Sequence, residues 1–132
     1  MAFKKFENIN KKLEDVITVT KTGSIGFPKF FYTKNSLKDF SYVTLFYDEE
    51  LKIIAIQFTS NEAEKSKIRI LPPSKDGYGA SIIARSFFKT YGLESYDYFG
   101  KYNYKIEEIE GIGKAFTIQL KKKEIEVLPN IT

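Results

Sequence analysis

Hydrophobic and polar positions follow two different periods along this chain, and each switch of period predicts an element boundary. Residues 16–20, Val-Ile-Thr-Val-Thr, are β-branched throughout and predict a strand. Lys21-Thr22-Gly23 predicts a turn in which Gly23 is free to take positive φ, and residues 24–27 predict a second short strand. Pro28 suits the first position of a helix, where its missing amide hydrogen would have no partner anyway. That helix turns Phe30, Phe31 and Leu37 onto a core and ends near Lys38-Asp39. Residues 41–47 and 53–59 predict a hairpin, with Val43 and Leu45 on one face and Tyr42, Thr44 and Phe46 on the other.

The second half runs in a similar order. Residues 67–71 predict a strand, 72–79 a loop, 80–83 a strand, and 86–91 a helix stopped by Gly92. Residues 100–108 and 114–120 predict a second hairpin, and 125–128 a last extended piece. Phe3, Phe6, Ile9 and Leu13 recur at helical spacing, so residues 1–15 predict an N-terminal arm or short amphipathic helix.

Beneath the pattern lies a repeat. Ser24, Ile25, Phe30, Phe31, Thr33 and Leu37 align with Ser81, Ile82, Phe87, Phe88, Thr90 and Leu93. Residues 52–58, Lys-Ile-Ile-Ala-Ile-Gln-Phe, align with residues 114–120, Lys-Ala-Phe-Thr-Ile-Gln-Leu. Two copies make a pseudo-dimer within one chain rather than a solenoid. The expected organisation is an arm at 1–15, a first unit at 16–59, a linker at 60–66 and a second, divergent unit at 67–132.

Composition narrows the chemistry. The chain has no Cys, His or Trp, but 12 Phe and 9 Tyr in 132 residues. Zinc fingers, thiol chemistry and Ser-His-Asp triads are thereby excluded, so no metal or cofactor is expected. With no disulfide framework, no signal-like segment and no run of 18 apolar residues, the expected location is cytoplasmic, without membrane insertion. The adjacent carboxylates Glu107/Glu108 and Asp48/Glu49 point to opposite faces if they lie in strands, and cannot share an acid–base site. Asp48-Glu49-Glu50 reads as a solvated turn, and Gly111-Ile112-Gly113 as a β turn rather than a phosphate loop. No catalytic residue is nominated, and the chain is not expected to be an enzyme.

Residues 18–29, Thr-Val-Thr-Lys-Thr-Gly-Ser-Ile-Gly-Phe-Pro-Lys, followed by a short helix and a hairpin around Asp48, resemble the AbrB/SpoVT and MazE antitoxin family. The resemblance covers residues 16–58. It implies a mainly β fold with short helices, two β-α-β-β units forming one swapped-hairpin, pseudo-dimeric barrel. It also implies double-stranded DNA as a partner and a role in transcription regulation. Lys21, Lys29 and Lys34 in the first unit, with Lys75, Arg85 and Lys89 in the second, are then the expected phosphate contacts. Two positions depart from the family pattern, since Ser24 stands where Arg is common and Tyr32 and Thr33 occupy helix positions that are often Arg.

A net charge of +4, carried by Lys far more than by Arg, favours loose phosphate attraction over base readout. The competing expectation is a non-catalytic scaffold or protein-interaction domain, engaging another protein or a second copy through surface aromatics. Tyr96, Tyr98, Phe99 and Tyr102 form the densest aromatic segment and are its expected contacts.

Overall fold

The computed structural model describes Phe3, residues 14–73 and residues 79–122. The predicted N-terminal helix, Lys75 with its loop, and the extended piece at 125–128 lie outside the described residues. In chain order the elements are β1 (Ile17–Val19), β2 (Ser24–Phe27), α1 (Lys29–Lys34), β3 (Tyr42–Asp48) and β4 (Ile53–Thr59). They continue with β5 (Ile68–Arg69), β6 (Ala80–Ile83), α2 (Arg85–Thr90), α3 (Ser95–Tyr98), β7 (Gly100–Tyr102), β8 (Tyr104–Ile109) and β9 (Gly113–Gln119). A short 3-10 turn at Leu37–Asp39 follows α1.

Local chemistry accounts for the boundaries. Pro28 caps α1 from just outside it, with extended backbone. The helix stops at Lys34, and the Asn35 side-chain amide donates to the Phe31 carbonyl at 3.1 Å, satisfying a terminal acceptor. Gly92, at φ +64, ends α2 by letting the Leu93 amide reach back to the Phe88 carbonyl at 2.8 Å.

The strands form two antiparallel sheets, one in the order β6-β2-β1-β7 and the other β5-β3-β4-β9-β8. Their facing sides share a single core. Ile17, Val19, Ile25, Phe27 and Ile82 enter it from the first sheet, and Val43, Ile54, Ile56, Phe116 and Ile118 from the second. Phe31 of α1 is fully buried and touches the rings of Phe27, Tyr104 and Phe116 at centroid distances of 5.6, 4.9 and 5.3 Å. Such ring pairs add about 0.5–1.5 kcal/mol each beyond burial. Phe88 fills the corresponding place below α2, whereas Phe30 and Phe87 are only half-buried.

Strand registers relate the two halves. Ile25 pairs with Ile82 in the first sheet and Ala55 with Thr117 in the second, and both pairs join residues made equivalent by the sequence repeat. β5 lies beside β3 as β7 lies beside β1: Val43 faces Ile68, and Tyr102 faces Ile17.

The expected closed, swapped-hairpin barrel does not form. Both sheets are open. Closure would need a hydrogen-bonded ladder across both corners where the sheets meet. At one corner β5 is two residues long, and the ladder is reduced to a single bridge between Leu71 and Ser81. At the other, the strand expected over residues 100–108 breaks at Asn103, leaving β7 in one sheet and β8 in the other. The AbrB/SpoVT/MazE resemblance therefore fails at the architecture it implied. What holds is the coarser statement, a mainly β fold with short helices.

Candidate functional site

Tyr96 is the most exposed aromatic residue between residues 14 and 122 of the described structure, with 63 % of its surface accessible. Its position follows from α3, which carries Tyr96 outward and Tyr98 inward, while Phe99, extended just after the helix, brings its ring back against Tyr96. The two outer rings meet at 5.7 Å with an interplanar angle of 57°. Tyr98 is buried. Its hydroxyl accepts a hydrogen bond from Lys52 Nζ at 3.1 Å, and its carbonyl accepts one from the Tyr102 hydroxyl at 2.5 Å. Those bonds fix a helix too short to be stable alone.

The β1–β2 turn supplies the other wall. Lys21 Nζ lies 4.7 Å from the Phe99 ring centre and 5.6 Å from that of Tyr96, so the cation covers both aromatic faces. Residues of the second half hold this turn through its three carbonyls. Ser95 Oγ donates to Lys21 at 2.9 Å, Arg85 Nε to Thr22 at 3.1 Å, and the Ala84 amide to Gly23 at 2.9 Å. Gly23 has φ +89, and a Cβ there would meet Arg85 Cγ at 2.9 Å. Both conditions require glycine.

Phe99 also begins a groove of about 550 Å³, lined by residues 99–103 together with Gln119, Lys121 and Lys122. The β8–β9 ladder ends at Tyr104 and Ile118, whereas the related β3–β4 ladder runs on to Tyr42 and Thr59. Beyond that point the chain after β9 is held to β7 by the Tyr102 hydroxyl, which accepts from the Lys121 amide at 3.3 Å while its single proton goes to the Tyr98 carbonyl. Burial pushes the Tyr102 hydroxyl pKa up, and the bond to Lys121 partly opposes the shift. Lys101, on the groove wall, pairs with Glu14 at 2.5 Å.

The expected site residues are thus divided. Tyr96 and Phe99 form the outer surface, while Tyr98 and Tyr102 face inward and support it. Among the expected phosphate contacts, Lys21 lies over the aromatic rings, and Arg85 has its Nε committed to Thr22. Lys34 is elsewhere, paired with Asp15 at 2.5 Å and 6.0 Å from the Phe30 ring centre. Its hydrogen bond to Asp15 raises the Lys34 pKa. Lys29 and Lys89 are exposed on α1 and α2. Sequence reasoning missed the groove lysines, Lys101, Lys121 and Lys122, because only the tertiary fold brings the end of β9 beside β7.

A second aromatic group joins Tyr47 of β3 to Phe87 of α2 and to Tyr91 just after that helix, at 5.5 and 4.8 Å. Burial is the main cause of a raised Tyr47 pKa. Among the described residues no group of three or more His, Cys, Asp or Glu is placed to hold a metal ion, and no helix is long and apolar enough to cross a membrane. No family model, curated protein or solved structure matches the chain.

Proposed function

We propose that this protein is a non-catalytic protein-interaction domain whose contact surface is built by Tyr96, Phe99 and Lys21. The observation that carries this reading is the exposed Tyr96 ring, packed on Phe99 and mounted on a helix anchored by buried Tyr98. Aromatic rings already fixed in place bury large area at small entropic cost, which is why they dominate protein interfaces. Lys21 adds a cation whose described neighbours are ring faces, leaving its charge available to a partner carboxylate.

DNA association is the less supported reading. Arg85, the residue best suited to bidentate contact, spends its Nε on a structural carbonyl, and Lys34 is neutralised by Asp15. The two readings separate in one experiment. Tagged protein and a Tyr96→Ser variant are isolated from source cells and sized, and each is also titrated with duplex DNA at low and moderate salt. A discrete complex that is lost in the variant, with melting unchanged and no DNA shift, is the expected result. DNA binding that weakens steeply with salt and ignores Tyr96 would replace this proposal with the other.

A further inference from the structure

We infer that the groove beside the aromatic surface takes an extended, acidic segment of a partner protein, with carboxylates meeting Lys121 and Lys122 and an apolar or aromatic side chain meeting Tyr96 and Phe99. This rests on the interaction reading above and specifies the partner's chemistry. Three observations support it. First, groove and patch are continuous, since Phe99 belongs to both. Second, charge is one-sided among the described residues: the lining includes Lys101, Lys121 and Lys122 and no acidic side chain, and of these three Lys101 is paired with Glu14. Third, the groove is lined by β7, an edge strand of its sheet, beside the point where the second hairpin's ladder stops short, and an extended segment can lie along such an edge. Asn103 and Gln119 add amide groups to its walls.

Lysines beside aromatic rings also describe a platform for single-stranded nucleic acid, where bases stack on ring faces. Here Lys21 already lies over the faces of both Tyr96 and Phe99, so a base stacking on those faces would have to displace it, whereas a peptide side chain packing on the exposed part of the Tyr96 ring need not. A carboxylate approaching Lys21 from solvent displaces nothing. This geometry favours the acidic peptide.

The test uses the full chain and three labelled probes: a glutamate-rich peptide with a central Phe-Tyr pair, the same peptide with glutamine for glutamate, and oligo(dT). Affinity is read by fluorescence anisotropy and the site by amide chemical-shift changes. The expected result is binding of the glutamate peptide, with shifts at residues 96–103 and 119–122. Its affinity should fall on the order of tenfold in Lys121→Glu/Lys122→Glu and less in the Gln pair. Tyr102 holds Lys121 through its backbone amide, so these substitutions leave that support intact. Equal binding of the glutamine peptide, still sensitive to Tyr96→Ser, would overturn the acidic specificity while leaving the aromatic interface standing. Tighter binding of oligo(dT) at the same residues would overturn the peptide assignment. No binding of the glutamate peptide at millimolar concentration would also overturn it.

Discussion

At the scale of single residues, Phe31 and Asp15 make the clearest demands. Phe31 is fully buried against several aromatic rings, so Phe31→Ala removes the ring's transfer energy and leaves a cavity. The expected loss is about 3–5 kcal/mol in denaturant unfolding. Phe30→Ala should cost clearly less, because Phe30 is half-buried. The sequence shows two adjacent Phe in each helix but not which one faces inward, since that depends on how the helix is rotated against the sheets. Asp15 has a lowered pKa: burial alone would raise it, but hydrogen bonds from Lys34 and Tyr104 outweigh that. A carboxylate with a lowered folded pKa contributes stability fully present above its unfolded value, near 4, and lost as pH falls through the folded value. Wild type should therefore lose more stability between about pH 5 and pH 2 than Asp15→Asn does. Melting temperatures across that range check it, and parallel curves would refute the pairing.

At the scale of elements, the β3–β4 turn shows why period alone cannot assign a role to a charge cluster. Asp48 Oδ1 accepts from the amides of Glu50 and Leu51, both at 3.0 Å, so the acidic run contains one residue that shapes the turn. Asp48→Ala should cost about 1 kcal/mol, with Glu49→Ala close to neutral, in thermal unfolding. Alternation and β-branching made most strands legible, including residues 53–59 and 80–83 with the same limits as β4 and β6. Pro28 and Gly92 marked the start of α1 and the end of α2, but the first helix, expected to run to Lys38-Asp39, stops at Lys34 and gives way to a 3-10 turn at Leu37–Asp39. The break at Asn103 and the four-residue α3 were not legible. A four-residue helix has no full period, and Gly100 and Asn103 do not by themselves say where a strand changes sheet. Since α3 and the crossing build the aromatic surface and the groove, the candidate site was readable only as an aromatic-rich segment.

At the scale of the whole molecule, each sheet contains strands from both halves, so neither half has a sheet of its own. Two fused units, residues 16–59 and 67–132 joined through 60–66, remain a proposal, motivated by the pairing of Ile25 with Ile82 and Ala55 with Thr117. Whatever its origin, this interleaving predicts one cooperative unfolding transition. Phe31→Ala should lower the hydrogen-exchange protection of β9 as much as that of β4, and loss confined to residues 16–59 would contradict a shared core. The proposed contact surface lies where this frame presents the Tyr96 and Phe99 rings outward. Its most direct measurement is site-specific photo-crosslinking in source cells, with a benzophenone amino acid at position 96 and, separately, at the exposed control position Ile106. A discrete protein adduct at 96 that is absent at 106 and suppressed by Lys21→Glu is the predicted result. Identical adducts at both positions, or none at 96 from folded protein, would contradict an aromatic interface on α3.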